Sequence, residues 1–249
     1  YAPFTERILK NGEPGFVWVD NLQHYGRMKD GYGDWDTAIG VNPCGEIGLE
    51  SFELCNVADI NPASLDDLDE LNEVLKYAYL YTKSVTLIPT HDPQVNAVVG
   101  RNRRIGMGCM GVTQAIQKFG FRNFMDALDE SYQYIRELDL KYSRWLCVPT
   151  SNKVTTVKPN GTTALLAGAT PGINYPHSEF YIRNVRFQRG APLVKLLKEA
   201  GYKCDDSVYG DNTVVVSFPI KEKNYSRGKS EVSMIEQLEL AAAMQFYWS

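Results

Sequence analysis

Apolar residues recur at intervals of three and four over residues 65–78, which is the spacing of one face of an amphipathic helix. Ser64 precedes this stripe and is a favourable N-cap. Asp67 follows three residues later, where its carboxylate can face the free N–H groups of the first turn. The pattern therefore predicts a helix from Ser64 to about Lys83, with its apolar stripe packed against the core.

A second stripe of the same spacing predicts a long helix over residues 123–147, which Pro149 brings to an end. Residues 4–9 form a short amphipathic piece, and shorter helices are predicted at residues 162–167 and 191–200 and from Ser233 onwards. Glu236 stands three residues after Ser233, so the last helix is expected to begin with a capping box.

Three runs rich in apolar or β-branched residues predict strands between these helices. Residues 16–20 are apolar at all but one position, which suits a short strand buried on both faces. The other two runs are residues 152–157 and 213–220. Strands that alternate with helices indicate an α/β fold with a largely parallel sheet.

Two stretches of the chain have less regular patterns. Residues 28–40 are polar and rich in glycine, which predicts a loop. Arg101, Arg103 and Arg104 could bind phosphate, although the exposed start of a helix is the more ordinary interpretation. The glycines of residues 106–111 do not match a dinucleotide-binding fingerprint, and we expect them to let a helix lie close to a sheet.

Composition is that of an ordinary globular protein of one or two domains: the 249 residues are 44% hydrophobic and 22% charged, with a net charge of −4. This charge gives no indication of nucleic-acid binding. No apolar run is long enough to predict a membrane span, and no secretory signal opens the chain. A start without Met and an apolar helix at the last residues suggest a fragment of a larger protein, cut at both ends.

The cysteines are scattered and odd in number: Cys44, Cys55, Cys109, Cys147 and Cys204. With only three histidines beside them, neither a zinc site nor a disulfide scaffold is expected. Reduced thiols in a cytoplasmic protein are the expectation. The last three cysteines lie in apolar or surface contexts and are interpreted as structural.

Residues 42–47 read Asn-Pro-Cys-Gly-Glu-Ile, and Cys55 follows Cys44 eleven residues later. In an extended strand, Asn42, Cys44 and Glu46 would share one face, since side chains alternate with a period of two. A thiol would then point the same way as a carboxamide and a possible general base. We therefore expect these three side chains to converge on one cavity.

A second candidate site follows the predicted strand at residues 152–157, where a glycine turn leads into a helix. Such a turn presents backbone N–H groups and threonine hydroxyls to a phosphate. The spacing is not that of a Walker A loop. The candidate phosphate ligands are Asn160, Gly161, Thr162 and Thr163. We expect the N–H groups of residues 161–163 to lie at the rim of the cavity that Cys44 faces.

The hexapeptide at residues 42–47, together with Glu-Leu-Cys-Asn-Val at residues 53–57, resembles the active-site loop of class II, adenosylcobalamin-dependent ribonucleotide reductases. Residues 158–172 resemble the substrate-phosphate loop of the monomeric branch of this family, which uses ribonucleoside triphosphates. The resemblance implies a ten-stranded α/β barrel with the cysteine loop at its centre. Residues 1–249 would be the C-terminal portion of that single catalytic domain.

The resemblance implies reduction of a ribonucleotide at the 2′ carbon, with adenosylcobalamin as the cofactor. Cys44 would become a thiyl radical and remove the 3′ hydrogen, Glu46 would act as base on the 3′ hydroxyl, and Asn42 would hydrogen-bond the sugar hydroxyls. Cys55 would be one of two reducing thiols and would end in a disulfide. Residues 160–163 would bind the substrate phosphates.

The implied partners are a ribonucleotide substrate, a thioredoxin-type reductant and a nucleotide effector bound outside this chain. The protein would be a monomer that needs neither nucleic acid nor a membrane. Since the second reducing cysteine is not among these residues, we expect the chain alone to be inactive. A class I or glycyl-radical ribonucleotide reductase is one alternative, against which the cysteine spacing and the 158–172 loop argue. A non-catalytic nucleotide-binding module with inert cysteines is another.

Overall fold

The computed structural model of the chain describes residues 2–25, 27, 36–208, 210 and 212–249. Within these ranges the chain has an α/β fold, as the alternating pattern predicts. The helices are α1 (Ala2–Asn11), α2 (Val19–His24), α3 (Leu71–Val85), α4 (Pro93–Asn102), α5 (Val112–Phe119), α6 (Phe121–Leu146), α7 (Thr163–Ala167), α8 (Pro192–Glu199) and α9 (Met234–Tyr247). The strands are β1 (Gly40–Val41), β2 (Gly48–Leu49), β3 (Val57–Ile60), β4 (Gly106–Cys109), β5 (Phe180–Gln188), β6 (Lys203–Asp206) and β7 (Thr213–Lys221). Of the predicted loop at residues 28–40, positions 28–35 lie outside the described residues.

A small parallel sheet lies at the centre of the described residues. Strand β3 pairs in parallel with β4. On the other edge of β4, residues 153–156 run parallel to it: the Met107 N–H donates to the carbonyl of Val154 at 2.9 Å, and the Thr156 N–H donates to the carbonyl of Met107 at 3.0 Å. The strand predicted at residues 152–157 is therefore an extended segment that continues this sheet.

Helices α3, α5, α6 and α9 cover the parallel sheet with apolar side chains. The largest contributions to this core are Leu71, Leu75 and Tyr79 from α3, Phe124, Met125 and Leu128 from α6, and Leu240 and Met244 from α9. Helix α6 confirms the helix predicted over residues 123–147. Removing these stripes from water is the main favourable term in folding of this region.

The predicted start of α3 at Ser64 is wrong, because the helix begins at Leu71. Residues Pro62–Ser64 form a single 3-10 turn, and the Ser64 hydroxyl donates to the carbonyl of Asn61 at 2.7 Å. Ser64 therefore bonds backward and does not cap a helix. Leu65 is still buried, so the apolar stripe correctly identified a core residue although it lies outside the helix.

A buried ion pair ties helices α3 and α6 to the extended segment. Lys83 Nζ lies 2.8 Å from Asp139 Oδ1, and both side chains are 1% exposed. Asp139 also accepts hydrogen bonds from the Tyr79 hydroxyl and the Ser151 N–H. Burial lowers the pKa of Lys83, although Asp139 opposes that shift, and burial raises the pKa of Tyr79. Because these charges are out of water, loss of one partner leaves the other uncompensated.

The largest sheet is antiparallel, which corrects the prediction of a largely parallel sheet. Its strand order is β5-β7-β6, and both pairings are antiparallel. The connection between Asp206 and Thr213 is too short for the crossover that parallel strands need, so the two strands can only form a hairpin. Val194 of α8 packs with Val214 and Val216 of β7 to form a separate small core.

The strand predicted at residues 16–20 is also wrong. Phe16, Val17 and Trp18 are about half exposed or more, and Val19 begins helix α2. The Phe16 and Trp18 rings contact each other with their centroids 6.0 Å apart. A short apolar run indicates burial only where other elements supply a surface to cover it, and periodicity alone cannot supply that information.

Residues 101–104 end a helix, where the sequence suggested that one begins. Helix α4 stops at Asn102, and Arg103 takes a left-handed conformation with φ of 45°. Arg104 is buried and leads into β4. Of the glycines that follow, Gly106 and Gly108 lie in β4, and Gly111 has a left-handed conformation with φ of 65° just before α5.

The C-terminal elements follow the sequence closely. Helix α8 lies within the predicted residues 191–200, and β7 matches residues 213–220 to one residue. Ser233 caps α9 by accepting the Glu236 N–H at 3.1 Å. The Glu236 carboxylate bonds to Arg227, so only one half of the predicted capping box is present. Among the described residues, no helix combines the length and the apolar character that crossing a membrane requires.

Candidate active site

Residues 42–47 form the tip of a short β-hairpin. Strands β1 and β2 are antiparallel, and the Gly45 N–H donates to the carbonyl of Asn42 at 2.9 Å. Gly45 has a φ of +77°, which a residue with a side chain adopts only with strain. The expected extended strand is therefore wrong: proline and glycine on either side of Cys44 close a turn at this point.

Ile47 fixes the hairpin to the parallel sheet. It is fully buried, and its Cδ1 atom would lie 3.3 Å from a Cβ placed on Gly106. The same Cβ would lie 2.9 Å from Thr156 Cγ2, so β4 needs a glycine where the hairpin and the sheet meet. The Thr156 hydroxyl also donates to the carbonyl of Glu46. The core thus holds the hairpin by one apolar side chain and one backbone contact.

The hairpin brings Asn42, Cys44 and Glu46 to the neighbourhood of Cys55. Both cysteines are exposed free thiols. Asn42 Nδ2 lies 3.6 Å from Cys55 Sγ, which is within reach of a weak hydrogen bond to sulfur. Glu46 Oε2 is buried and has no hydrogen-bond partner among the described residues. A buried carboxylate oxygen without a donor is suited to accept a proton or a hydrogen bond from a ligand.

Burial and the charge of Glu46 raise the pKa of Cys55 above its ordinary value, and Cys44 adds to the rise. The ammonium of Lys158 and the hydrogen bond from Asn42 act in the opposite direction. Cys55 is accordingly protonated at neutral pH, as a thiol that gives up a hydrogen atom or a proton only when its surroundings change.

Lys158 connects the cysteines to the predicted phosphate turn. Its Nζ lies 2.5 Å from Asp59 Oδ2, on the strand that begins just after Cys55. Asn160 is buried, and its Oδ1 accepts the Thr163 N–H at 3.1 Å, which starts α7. Asn160 Nδ2 has no partner among the described residues. The turn at residues 158–163 is therefore stabilised by the hydrogen bond between Asn160 and Thr163.

The N–H groups of Gly161 and Thr162 donate no hydrogen bond to any residue that the structure describes. Both residues and Thr163 are exposed, so these groups and the threonine hydroxyls face the outside of the fold. This segment is therefore open to an anion.

A cavity of about 480 Å³ lies beside the hairpin. Its lining consists of Asn21, Leu22, Tyr25, Gly45, Glu46, Gly48, Lys153, Gln245 and Ser249. Of the side chains that were expected to converge on one cavity, only Glu46 lies in this lining. Cys44 and residues 161–163 do not line it. Burial, and then the charge of Arg104, lower the pKa of Lys153 to about 8.

A buried network of charged and polar groups surrounds the base of the hairpin. We call it the Arg104 network, and its members are Asp36, Glu50, Glu53, Asn102 and Arg104. Asn102 Nδ2 donates to Glu53 at 3.0 Å and to Glu50 at 3.1 Å. Burial raises the pKa of Glu50, but hydrogen bonds from Arg101 and Asn102 outweigh it and leave that pKa lowered.

Sequence reasoning did not identify the Arg104 network as part of the site. Arg104 itself was interpreted as exposed, since three arginines in four residues are usually solvated. The available signal was indirect: Asp36, Glu50 and Glu53 place three carboxylates on either side of the cysteine hairpin, and a carboxylate that is buried needs a cation as its partner.

The other three cysteines lie away from this arrangement. Cys109 is buried in β4, where burial and then Asp59 raise the pKa of its thiol. Cys147 is exposed at the end of α6, and Cys204 is partly buried in β6. No group of three or more His, Cys, Asp or Glu side chains that could hold a metal ion occurs within the described ranges.

The fold and the cysteine hairpin define the class of protein. A sequence model of the family described as "Ribonucleotide reductase, barrel domain" matches residues 2–136, more than half of the chain. The chain belongs to this family. The class of reductase is indicated by individual relatives.

The chain is 43% identical over its whole length to a protein of Dictyostelium discoideum named probable adenosylcobalamin-dependent ribonucleoside-triphosphate reductase. It is 42% identical to the adenosylcobalamin-dependent ribonucleoside-triphosphate reductase of Euglena gracilis. These matches cover 33% and 34% of the two relatives, so the chain spans about a third of their length. A crystal structure of a B12-dependent (class II) ribonucleotide reductase superposes with a TM-score of 0.89 at 32% identity, over 99% of this chain and 39% of the other.

Proposed function

We propose that this chain supplies the thiol-bearing part of a class II ribonucleotide reductase, which reduces ribonucleoside triphosphates to 2′-deoxyribonucleotides by a thiyl-radical mechanism. The observation that carries the proposal is the arrangement around Cys55. Asn42 contacts its sulfur at 3.6 Å, and the charges of Glu46, Lys158 and Cys44 all act on it. The names of the relatives support the choice of substrate and cofactor.

Cys44 is the proposed hydrogen abstractor. It is exposed at the tip of the hairpin, where a substrate sugar can approach it. Glu46 takes the proton of the 3′ hydroxyl, for which its unpartnered Oε2 atom is available. Asn42 hydrogen-bonds the sugar hydroxyls, with the carboxamide held between the hairpin backbone and Cys55.

Cys55 is one of the two proposed reducing thiols. It donates to the 2′ position and ends in a disulfide with a cysteine that lies outside this chain. Its raised pKa keeps the thiol protonated, as a hydrogen donor must be. A thioredoxin-type protein then reduces the disulfide by thiol–disulfide exchange.

Residues 160–163 are the proposed site of the substrate phosphates. The free N–H groups of Gly161 and Thr162 and the hydroxyls of Thr162 and Thr163 are the donors. Asn160 positions them, because its Oδ1 accepts the N–H of Thr163, the first residue of α7. Lys158 stands at the start of the turn and also acts on Cys55, which supports a phosphate site near the thiols.

Adenosylcobalamin, when bound, supplies the radical that oxidises the Cys44 thiol. The exposed position of Cys44 at a hairpin tip fits the approach of a bulky cofactor from outside the described residues. We further propose that residues 1–249 form the C-terminal portion of a ten-stranded catalytic barrel, in a monomeric cytoplasmic enzyme with its nucleotide effector bound elsewhere. The share of the relatives that the chain covers supports this proposal.

The two cysteines can be separated by experiment in the full-length protein, with adenosylcobalamin and substrate tritiated at the 3′ carbon. Cys44→Ser is expected to abolish all label release, since an alcohol O–H bond is too strong for the radical to form readily. Cys55→Ser is expected to retain 3′ abstraction and lose 2′ reduction, so that free base and label are released and the enzyme inactivates. Cys147→Ser is the matched control and is expected to remain active.

The assignment of Cys44 would be contradicted if neither variant released label or free base, or if Cys44→Ser still released base. A non-catalytic nucleotide-binding module predicts that all three variants behave like the unmodified protein. Purified as 249 residues, the chain is expected to form no deoxynucleotide with adenosylcobalamin and dithiothreitol. Measurable product would show that the second reducing thiol lies within this chain.

A further inference from the structure

Arg104 contacts both ends of the segment that carries the two cysteines. Its Nη1 and Nη2 atoms donate to the two carboxylate oxygens of Asp36 at 2.8 and 2.7 Å. Its Nε donates to Glu53 Oε1 at 3.0 Å. Asp36 precedes the hairpin, and Glu53 stands two residues before Cys55. One guanidinium therefore closes residues 36–55 into a loop.

The geometry of these contacts suits arginine in particular. The guanidinium is planar, and it meets the Asp36 carboxylate with two parallel hydrogen bonds. The side chains of Arg104, Asp36 and Glu53 are each 1% exposed, so water does not compete for these bonds. The backbone next to Arg104 is also held in place. Ile105 is buried, and its N–H donates to the carbonyl of Lys153 at 3.0 Å.

Few apolar side chains within the segment hold the cysteines in place. Ala38 and Ile47 are its buried apolar residues among those described. Ile47 anchors the hairpin that carries Cys44, but no apolar anchor stands between Ile47 and Cys55. The position of Cys55 is therefore set on one side by Glu53, which bonds Arg104 and Asn102, and on the other by Asn56, whose carbonyl accepts the Gly106 N–H at 2.9 Å.

We propose that Arg104 is a positioning residue for the two thiols: it holds Cys55 beside Asn42 and Glu46 by fixing Glu53 and Asp36 at the two ends of the segment. The proposal rests on the proposed function for its purpose, since two thiols that serve one substrate must keep a fixed separation. Displacement of a reacting group by about 1 Å can cost on the order of a hundredfold in rate.

Thiol alkylation in the 249-residue chain tests the proposal without cofactor or substrate. The rates of iodoacetamide reaction at Cys55 and at Cys147 are measured by mass spectrometry in the native protein. In Arg104→Gln, Cys55 is expected to move away from the charge of Glu46 and to react about tenfold faster relative to Cys147. Arg104→Lys keeps the charge but lacks the planar fork that bonds both oxygens of Asp36 together with Glu53, so its increase is expected to be smaller.

Asp139→Asn provides a matched control, because it disrupts a second buried ion pair whose side chains are also 1% exposed. It is expected to lower thermal stability and to leave the Cys55 to Cys147 ratio unchanged. An equal change of the ratio in Asp139→Asn and Arg104→Gln would overturn the proposal, because a general loss of stability would then explain both results. An unchanged ratio in folded Arg104→Gln would also overturn it.

If Arg104→Gln does not fold, Glu53→Gln decides the question. This variant leaves the pair of Arg104 with Asp36 in place and weakens the bonds that Glu53, next to Cys55, accepts from Arg104 and Asn102. A ratio that rises in Glu53→Gln supports the proposal, and an unchanged ratio overturns it. Loss of ribonucleotide reduction in the tritium assay would remove the proposed function but would not alter these alkylation rates, so the two failures are distinguishable.

Discussion

The helical layer and residues 36–55 bury charged side chains to the same extent but differ in what surrounds those charges. Lys83 and Asp139 lie among the apolar side chains of α3 and α6, and they join elements that hydrophobic burial already holds together. Arg104 and Asp36 join a segment with few apolar anchors. In the first region the ion pair is one stabilising contact among many, whereas in the second it is one of a few, together with Ile47 and the bonds of Asn102.

This difference suits the two tasks of the molecule. A hydrophobic layer gives stability that does not depend on any one contact, and it can support a segment that exposes reactive groups. In the proposed function, Cys44 and Cys55 are open to a substrate. Both are exposed, and the segment that carries them is fixed by directed polar bonds at its base. The predictions below test whether the two regions are as separate as this comparison implies.

Asp139→Ala is expected to have the largest effect on stability. It leaves the ammonium of Lys83 buried without a counter-charge, which should cost about 3–5 kcal/mol in the free energy of unfolding. Denaturant titration measures this loss. Asp126→Ala removes an exposed partner of Arg122 at 3.8 Å and should change stability by less than about 0.5 kcal/mol. Equal effects of the two substitutions would contradict the assigned role of the buried pair.

Leu75→Ala is expected to have the next largest effect. Leu75 is fully buried, and its truncation should cost about 2–5 kcal/mol through lost burial and a cavity. Leu54→Ala is the counterpart in the cysteine segment, where the side chain is 39% exposed. It should cost less than about 1 kcal/mol. A large loss of stability in Leu54→Ala would show that the segment depends on apolar contacts after all.

Lys153 predicts a pH dependence. Its folded pKa of about 8 lies below its ordinary value of 10.5, so the unfolded chain binds more protons between these two values. Stability contributed by Lys153 therefore rises as the pH rises through that window, by about 2 kcal/mol once its partial exposure is allowed for. Thermal melts of the unmodified chain and of Lys153→Met, compared across the window, isolate this term. Parallel curves for the two proteins would contradict it.

The smallest predicted effects concern the reactivity of Cys55 and have opposite signs. Glu46→Gln removes a negative charge that raises the pKa of Cys55, so alkylation at a fixed mildly alkaline pH should become about threefold faster. Lys158→Met removes a positive charge that lowers the same pKa, so alkylation should become slower by a similar factor of about three. The rate at Cys147 serves as the reference. Shifts of the same sign in both variants would show that structure, and not charge, controls the thiol.

The regions that the sequence predicted best are those where one periodic pattern decides the structure. The apolar stripe of α6 and the cap at Ser233 depend on neighbours within a few residues, so the local sequence was sufficient to predict both. The start of α3 was misplaced because Ser64 can bond backward as well as forward, and both choices look the same in sequence. The candidate thiols were found by a short motif, whose residues lie close together in the chain.

The sequence by itself determined that this chain alternates helices and strands, that its apolar stripes form a core, and that Cys44 and Cys55 belong to one reductase-like motif. Only the tertiary structure decided that residues 42–47 turn, that the largest sheet is antiparallel, and that Arg104 is buried. The physical reason lies in distance along the chain. Asp36 stands 68 residues before Arg104, and burial of a charge is favourable only where such a distant partner meets it.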